Sequence, residues 1–210
     1  MREGTTPMGD VGTWLIDCAY AQVGKHLGLP THAYLGMSDA KVLDAQCGME
    51  SMGGTVMAAL AGVNMVSGAG MLDFESCQSL EKLVLDAEMI GMAKRLVRGI
   101  EPRDEPIALD LFKRHGHQAD YLADPHTLRW FAKELYLPSA LVDRSTYDGW
   151  KRKGAKTTAE RAAERVDQLV ASYEQPPMSP EVRTGLRSIA TRAAQKFGMK
   201  ELPELAELPE

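Results

Sequence analysis

The sequence predicts an α/β fold over its first hundred residues and an all-helical second half. Three observations predict it. Helix-period and short apolar strand patterns alternate from residue 11 to residue 98. Each strand pattern is bounded by Gly, Pro, Asn or Ser. After Pro102 no segment reads as a strand. Strands that alternate with helices of this length build parallel βαβ units. Two such strands form neither a closed nor a stable open sheet, because both edges and one apolar face stay uncovered. Either further strands escape the pattern, or the chain is a piece of a larger architecture, or it is completed by a partner; the piece is the favoured reading.

The elements follow in order. EGTTPMGD is loop-like, with Asp10 as candidate N-cap. Leu15, Cys18, Ala19, Gln22, Val23 and His26 recur at helical spacing and predict a helix over 11–27, stopped by Gly28 and Pro30. HAYLGM at 32–37 predicts a short buried strand, and Ser38-Asp39 the N-cap of a helix over 40–60 that ends at Gly62. VNMVSGAG predicts a second strand, followed by a loop, MLDFESCQ, and an N-cap at Ser79. The helix over 80–98 carries an apolar stripe at Leu83, Val84, Ala87, Ile90, Gly91, Lys94 and Val97. Beyond it, helices are predicted over 104–114, 125–135, 143–153, 158–173 and 179–197, with a capping box at Thr157 and Glu160 and a hinge at Pro176-Pro177. The acidic, Pro-punctuated tail, ELPELAELPE at 201–210, is expected to fray.

Composition narrows the function classes. The 44% hydrophobic and 25% charged content is that of an ordinary globular chain. A net charge of -5 without a long Lys/Arg run argues against a nucleic-acid surface. The first ten residues hold no apolar signal core, and no apolar run has the length to span a bilayer. Three widely spaced cysteines (Cys18, Cys47, Cys77) with no CxxC pair point to reduced thiols and a cytoplasmic setting rather than disulfides or zinc. The histidines His115, His117 and His126 do not match a metal-ligand spacing. Gly68 and Gly70 begin a GxGxxG pattern, but its third position is Asp73. Trp130, Phe131 and Tyr136 lie at helical spacing and read as core.

The stretch GMSDAKVLDAQCGME at 36–50 carries the main signal. With Ser38-Asp39-Ala40-Lys41, Asp44-Ala45-Gln46, Gly48 and Glu50, then AALAGVN at 58–64, Gly68-Ala69-Gly70, the helix SLEKLVLDAEMIGM and the later HGHQADYLADPHT, the chain resembles the trimethylamine methyltransferase (MttB-like) family. Asp143-Arg144, Tyr147 and Trp150 continue the likeness, which covers nearly the whole chain. The resemblance implies the C-terminal portion of a (βα)8 TIM-type barrel: about two late βα units over 1–101, a helical extension over 102–200 and the tail. It also implies chains about twice this long. The implied activity is transfer of a methyl group from a quaternary or tertiary amine, of glycine betaine or trimethylamine type, to the Co(I) of a separate corrinoid protein. No cofactor would be bound tightly by the chain itself. The sequence holds only standard residues; if the family's pyrrolysine position falls in this segment, the resemblance implies the branch without pyrrolysine and hence a betaine.

That chemistry sets requirements. A methyl group on a quaternary ammonium is already activated, because its leaving group is a neutral amine. The protein's task is positioning and electrostatics, and the corrinoid carries the hard chemistry. A trimethylammonium calls for carboxylates or aromatic faces, and a betaine carboxylate for cationic side chains or N–H groups. In a barrel the loops after the strands form the active face. Ser38, Asp39 and Lys41 follow the first strand here, and Asp73 and Glu75 the second. The candidate catalytic residues are therefore Asp39, Lys41 and Glu50, and the candidate substrate-binding residues Ser38, Asp44, Gln46, Asp73 and Glu75. Asp39 and Glu75 would set a negative field; Lys41 would orient a carboxylate or pair with Asp44; Gln46 and Glu50 share a helix face and would contact substrate or support its contacts.

Each residue also has a plain structural reading. Ser38 and Asp39 are good helix caps, Lys41 and Asp44 an ordinary surface pair, Gln46 and Glu50 residues buried with a partner on an otherwise apolar or small helix, and Asp73 and Glu75 solvated loop residues. A second reading of the chain stays open beside the enzyme: a non-catalytic half-barrel that pairs with itself, as a homo-oligomer, or with another chain.

Overall fold

A computed structural model describes residues 4–103, 107–118, 120–199 and 201–203. It divides into two units, Met1–Ala171 and Ser172–Glu210.

The first unit opens with helix α1 (Val11–His26), where the Asp10 carboxylate accepts the Gly12 N–H. Strand β1 (His32–Tyr34) follows, then α2 (Ala45–Ala61) and β2 (Met65–Ser67). β1 and β2 pair in parallel, with His32 opposite Met65, Ala33 opposite Val66 and Tyr34 opposite Ser67. The predicted βαβ unit is therefore present, with strands shorter than the apolar runs suggested. Alternation decides which side faces the helices. Ala33 and Leu35 are buried with Ala58 of α2 and packed by Trp14 and Val63, while His32 and Tyr34 lie on the exposed face. Full burial of a side chain such as Leu35 is worth about 1.5–3 kcal/mol. The outer edge of β1 is closed by the Tyr20 hydroxyl, which donates to the His32 carbonyl and accepts its N–H.

Two expectations are corrected here. The second helix begins at Ala45, not near residue 40, because Asp44 and not Ser38-Asp39 is its cap and accepts the Cys47 N–H at 3.1 Å. The segment read as a plain loop after β2 holds a small antiparallel hairpin, β3 (Met71–Leu72) and β4 (Cys77–Gln78). Its turn places Asp73, Phe74 and Glu75 at positive φ, a conformation carried without the usual Gly or Asn signal. A second small core, Ala40, Cys47 and Leu72 with Leu43, sits beneath this hairpin.

Helix α3 (Leu80–Arg98) has the predicted bounds, with Ser79 accepting the Lys82 N–H. Its buried face differs from the apolar stripe. Lys82, Asp86, Glu88 and Ala93 are buried, whereas Leu83, Ala87, Lys94 and Val97 are exposed.

No strand occurs among the described residues beyond Pro102. Helices α4 (Leu109–His115), α5 (Pro125–Glu134), α6 (Tyr147–Arg152) and α7 (Thr158–Ala171) follow, with a 3-10 turn at Gly116–Gln118. The predicted start of the helix over 104–114 lies outside the described residues. The Thr157–Glu160 capping box forms reciprocally: Thr157 Oγ1 accepts the Glu160 N–H at 3.2 Å and Glu160 Oε2 accepts the Thr157 N–H at 2.6 Å. α7 packs on α3. Trp130 is not simple core, since the Arg103 guanidinium stacks 4.4 Å from its ring and the Lys133 ammonium sits 4.9 Å away; Phe131 is exposed. The second unit holds α8 (Pro180–Lys196), capped by Ser179. Most of the acidic tail falls outside the described residues.

Candidate functional site

The loops that leave the C-terminal ends of β1 and β2 meet each other. The Ser38 N–H donates to the Met71 carbonyl at 3.2 Å, and the Asp73 N–H to the Ala40 carbonyl at 3.1 Å. These two bonds form one rim from the Ser38–Lys41 stretch and the β3–β4 hairpin. All eight residues singled out lie on or beside this rim, seven of them in three sets and Glu75 apart from these at the hairpin turn.

The first set centres on Glu50. Its Oε2 accepts the Ser38 hydroxyl at 2.6 Å and the Asp39 N–H at 2.8 Å, and its Oε1 accepts the Gln46 amide at 2.9 Å. Ser38 is fully buried, and its Oγ also accepts the Ala40 N–H. Glu50 is therefore held by three donors and anchors the rim loop to α2. Asp39 is buried as well, with Oδ1 accepting the N–H groups of Met8 and Gly9 at 3.0 and 2.9 Å. It ties the approach to α1 onto the rim rather than projecting a free charge.

The second set is exposed. Lys41 Nζ lies 3.2 Å from Asp73 Oδ1 and 3.9 Å from the centroid of the Phe74 ring, and donates to the Asp39 carbonyl at 2.7 Å. The expected pairing of Lys41 with Asp44 is thus replaced by pairing with Asp73, because Asp44 is committed to capping α2. Asp44 itself is the third placement, at the α2 N-terminus. Glu75 stands exposed at the hairpin turn, and among the described residues it does not join the Glu50 network.

Sequence reasoning missed the buried charges beneath the rim. Lys82 Nζ and Asp86 Oδ2 are 2.5 Å apart and both side chains are essentially inaccessible. Burial pushes the Asp86 carboxyl up, while the Lys82 ammonium and the Gly70 N–H pull it back. The neighbouring Cys47 thiol is pushed up, first by burial. Among the described residues Ser51 Oγ and Asp86 Oδ1 are buried with no partner within ordinary hydrogen-bond geometry, although Ser51 is close enough to help pull the Asp86 carboxyl down. The signal that could have found the pair is a Lys and an Asp four apart on one face of the most regular helix in the chain. A cavity of about 380 Å³ lies alongside, lined by Leu35, Gly36, Val66, Asp86 and Ile90 among others.

Farther off, Glu88 accepts the Tyr136 hydroxyl at 2.8 Å and the Ser139 hydroxyl at 2.5 Å, fastening the stretch after α5 to α3. His115 Nε2 lies 2.7 Å from Asp124 Oδ2, and the Asp124 carboxyl is held below its usual range by the His126 N–H and by His115. Among the described residues no group of three or more His, Cys, Asp and Glu side chains is placed to hold a metal ion. No helix among them is long and apolar enough to cross a membrane.

A parallel βαβ unit whose strand ends carry a charged, hydrogen-bonded rim, followed by helices, defines the class. The trimethylamine methyltransferase (MTTB) family model matches residues 1–198, and the chain belongs to that family. It is 33% identical to the glycine betaine methyltransferase of Desulfitobacterium hafniense (strain Y51), over 94% of this chain and 41% of that protein. It is 31% identical to the trimethylamine methyltransferase MttB of Desulfitobacterium hafniense (strain DSM 10664 / DCB-2), over 95% of this chain and 40% of that protein. With trimethylamine methyltransferase MttB2 of Methanosarcina mazei it shares 31%, over 94% of this chain and 39% of that protein. The chain spans about two fifths of the length of these curated relatives.

Proposed function

We propose that the chain supplies the late βα units and the helical extension of a (βα)8-type methyltransferase. Its donor is a quaternary or tertiary methylated amine of the glycine betaine or trimethylamine type. The methyl acceptor is the reduced corrinoid of a separate protein, which provides the nucleophile. The observation that carries this reading is the family match over residues 1–198. The rim supports it chemically. Lys41 on the Phe74 face beside Asp73 brings together an aromatic ring, a carboxylate and a cation, the groups a betaine's two ends need. In this reading Ser38, Asp39, Gln46 and Glu50 hold the rim, and Lys41 and Asp73 face the substrate.

The test is a chimera in which this chain replaces the matched segment of the glycine betaine methyltransferase. Methyl transfer from glycine betaine or trimethylamine to cob(I)alamin is the expected result. A folded chimera that transfers from no amine, beside an active parent, removes the reading. The 210-residue chain alone is expected to be inactive; turnover by it would overturn the partial-barrel reading.

A second reading is an assembly module, favoured by exposed apolar side chains on the strands and α1: Met65, Val66, Leu15, Ile16 and Val23. The solution mass discriminates. A closed dimer supports the module; a monomer supports the first reading.

A further inference from the structure

We propose that Lys82 and Asp86 are positioning residues, a buried strut that fixes the spacing of the two loops forming the rim. Lys82 Nζ donates to the Gly36 carbonyl at 3.3 Å, and Asp86 Oδ2 accepts the Gly70 N–H at 2.7 Å. Their own contact closes the chain Gly36–Lys82–Asp86–Gly70 at 2.5 Å. Gly36 stands two residues past β1 and Gly70 three past β2. Both are in the left-handed region, with φ of +79° and +82°. These are the points where the backbone leaves each strand and turns into the rim. Gly36 leads to Ser38, Asp39 and Lys41, and Gly70 leads to Asp73.

The pair is a poor stabilising device on three counts. Burying two charges costs about as much as their attraction returns. Lys82 lies in the first turn of α3, where the helix dipole disfavours a cation. Lys preceding Asp by four residues is also the weaker orientation of a helical ion pair. An apolar pair would fill the same space without these penalties. What it could not do is hold one loop by a carbonyl and the other by an N–H. Nor is the strut part of the rim's own bonding, since the Ser38–Met71 and Asp73–Ala40 bonds lie beyond it. Its consequence for turnover rests on the proposed methyl transfer; its effect on the loops does not.

The experiment therefore has two arms. Amide hydrogen exchange on the 210-residue chain compares the wild type with Asp86→Asn and with the double variant Lys82→Met/Asp86→Leu. In both variants the amides of Ser38, Gly70 and Asp73 are expected to exchange about tenfold faster or more, relative to those of α1. Asp86→Glu should restore part of the protection. Unchanged rim amides in both variants would overturn the strut. So would an equal acceleration of every amide, α1 included, which marks a loss of global stability alone. If the double variant does not fold, Asp86→Asn decides by the same criteria. In the second arm the double variant is placed in the chimera, where kcat should fall about tenfold with KM nearly unchanged. A kcat equal to that of the unmodified chimera overturns the functional consequence. If the unmodified chimera transfers no methyl group, the methyltransferase reading fails and the exchange arm alone decides the strut.

Discussion

Ser38 Oγ donates to Glu50 Oε2 at 2.6 Å, joining the loop after β1 to the second turn of α2 across twelve residues of sequence. The same oxygen takes the Asp39 N–H, so one carboxylate atom fixes both a side chain and the backbone that follows it. Truncating Glu50 leaves a fully buried hydroxyl and a half-buried N–H without their acceptor.

Glu50→Ala should therefore destabilise the chain by about 1–3 kcal/mol, the usual cost of orphaned buried donors. Urea unfolding measures it. Glu50→Gln should lose less, since Gln keeps one acceptor. Equal stability of the wild type and Glu50→Ala would show that the rim loop does not depend on this contact.

Lys41 makes the opposite case. Its ion pair with Asp73 is well exposed, 60% and 40% by side chain. Such pairs contribute up to about 1 kcal/mol, and an exposed cation over a ring adds about as little. Lys41→Ala should shift unfolding by no more than about 1 kcal/mol. In the chimera, however, its kcat/KM for glycine betaine should drop about tenfold, equivalent to ~1.4 kcal/mol. A large loss of stability with intact turnover would place Lys41 in the structural framework instead.

The contrast between these residues shows how far the sequence could be read. α3 was legible to the residue, because Ser79 caps it and Gly99 follows its last turn. The βαβ alternation was legible because each short strand ends in glycine-containing turns. The start of α2 was not. Ser38-Asp39 and Asp44 are all good cap residues, and only tertiary bonds decide among them: Glu50 takes Ser38 and the Asp39 N–H, and Met8 and Gly9 take the Asp39 carboxylate. The β3–β4 hairpin was hidden for a different reason. Its turn uses Asp73, Phe74 and Glu75 at positive φ, and long-range bonds to Ser38 and Ala40 compensate that strain. The Lys82–Asp86 pair was invisible to any rule that equates burial with apolarity.

Tyr136 gives a prediction in alkali. Burial, reinforced by the Glu88 carboxylate, pushes its hydroxyl up from 10.0 to about 12. The folded state thus keeps a proton that the unfolded state releases. Its contribution to stability is fully present below pH 10 and is lost as pH rises through about 12. Tyr136 should contribute a late step to the near-ultraviolet phenolate titration, and Tyr136→Phe should remove that step. Stability of the wild type should fall towards the variant's between pH 10 and about 12. A wild-type titration that superimposes on the variant's after scaling would contradict the Tyr136–Glu88 contact.

Two glycines of α2 test how closely that helix is held to the rim. A Cβ on Gly54 would lie 2.7 Å from the Gly36 backbone nitrogen, closer than atoms approach without movement. Gly36 is also where the Lys82 ammonium is bound. Gly54→Ala must therefore push α2 away from the loop after β1, at about 1–3 kcal/mol for overpacking. A Cβ on Gly48 meets nothing within 4 Å. Gly48→Ala gains only helix propensity and should stabilise by about 0.5–1 kcal/mol. The two substitutions add the same methyl group to the same helix, so propensity cancels between them. The difference in their unfolding free energies isolates the close approach of α2 to the rim, and equal effects would mean that the two backbones are not in contact in solution.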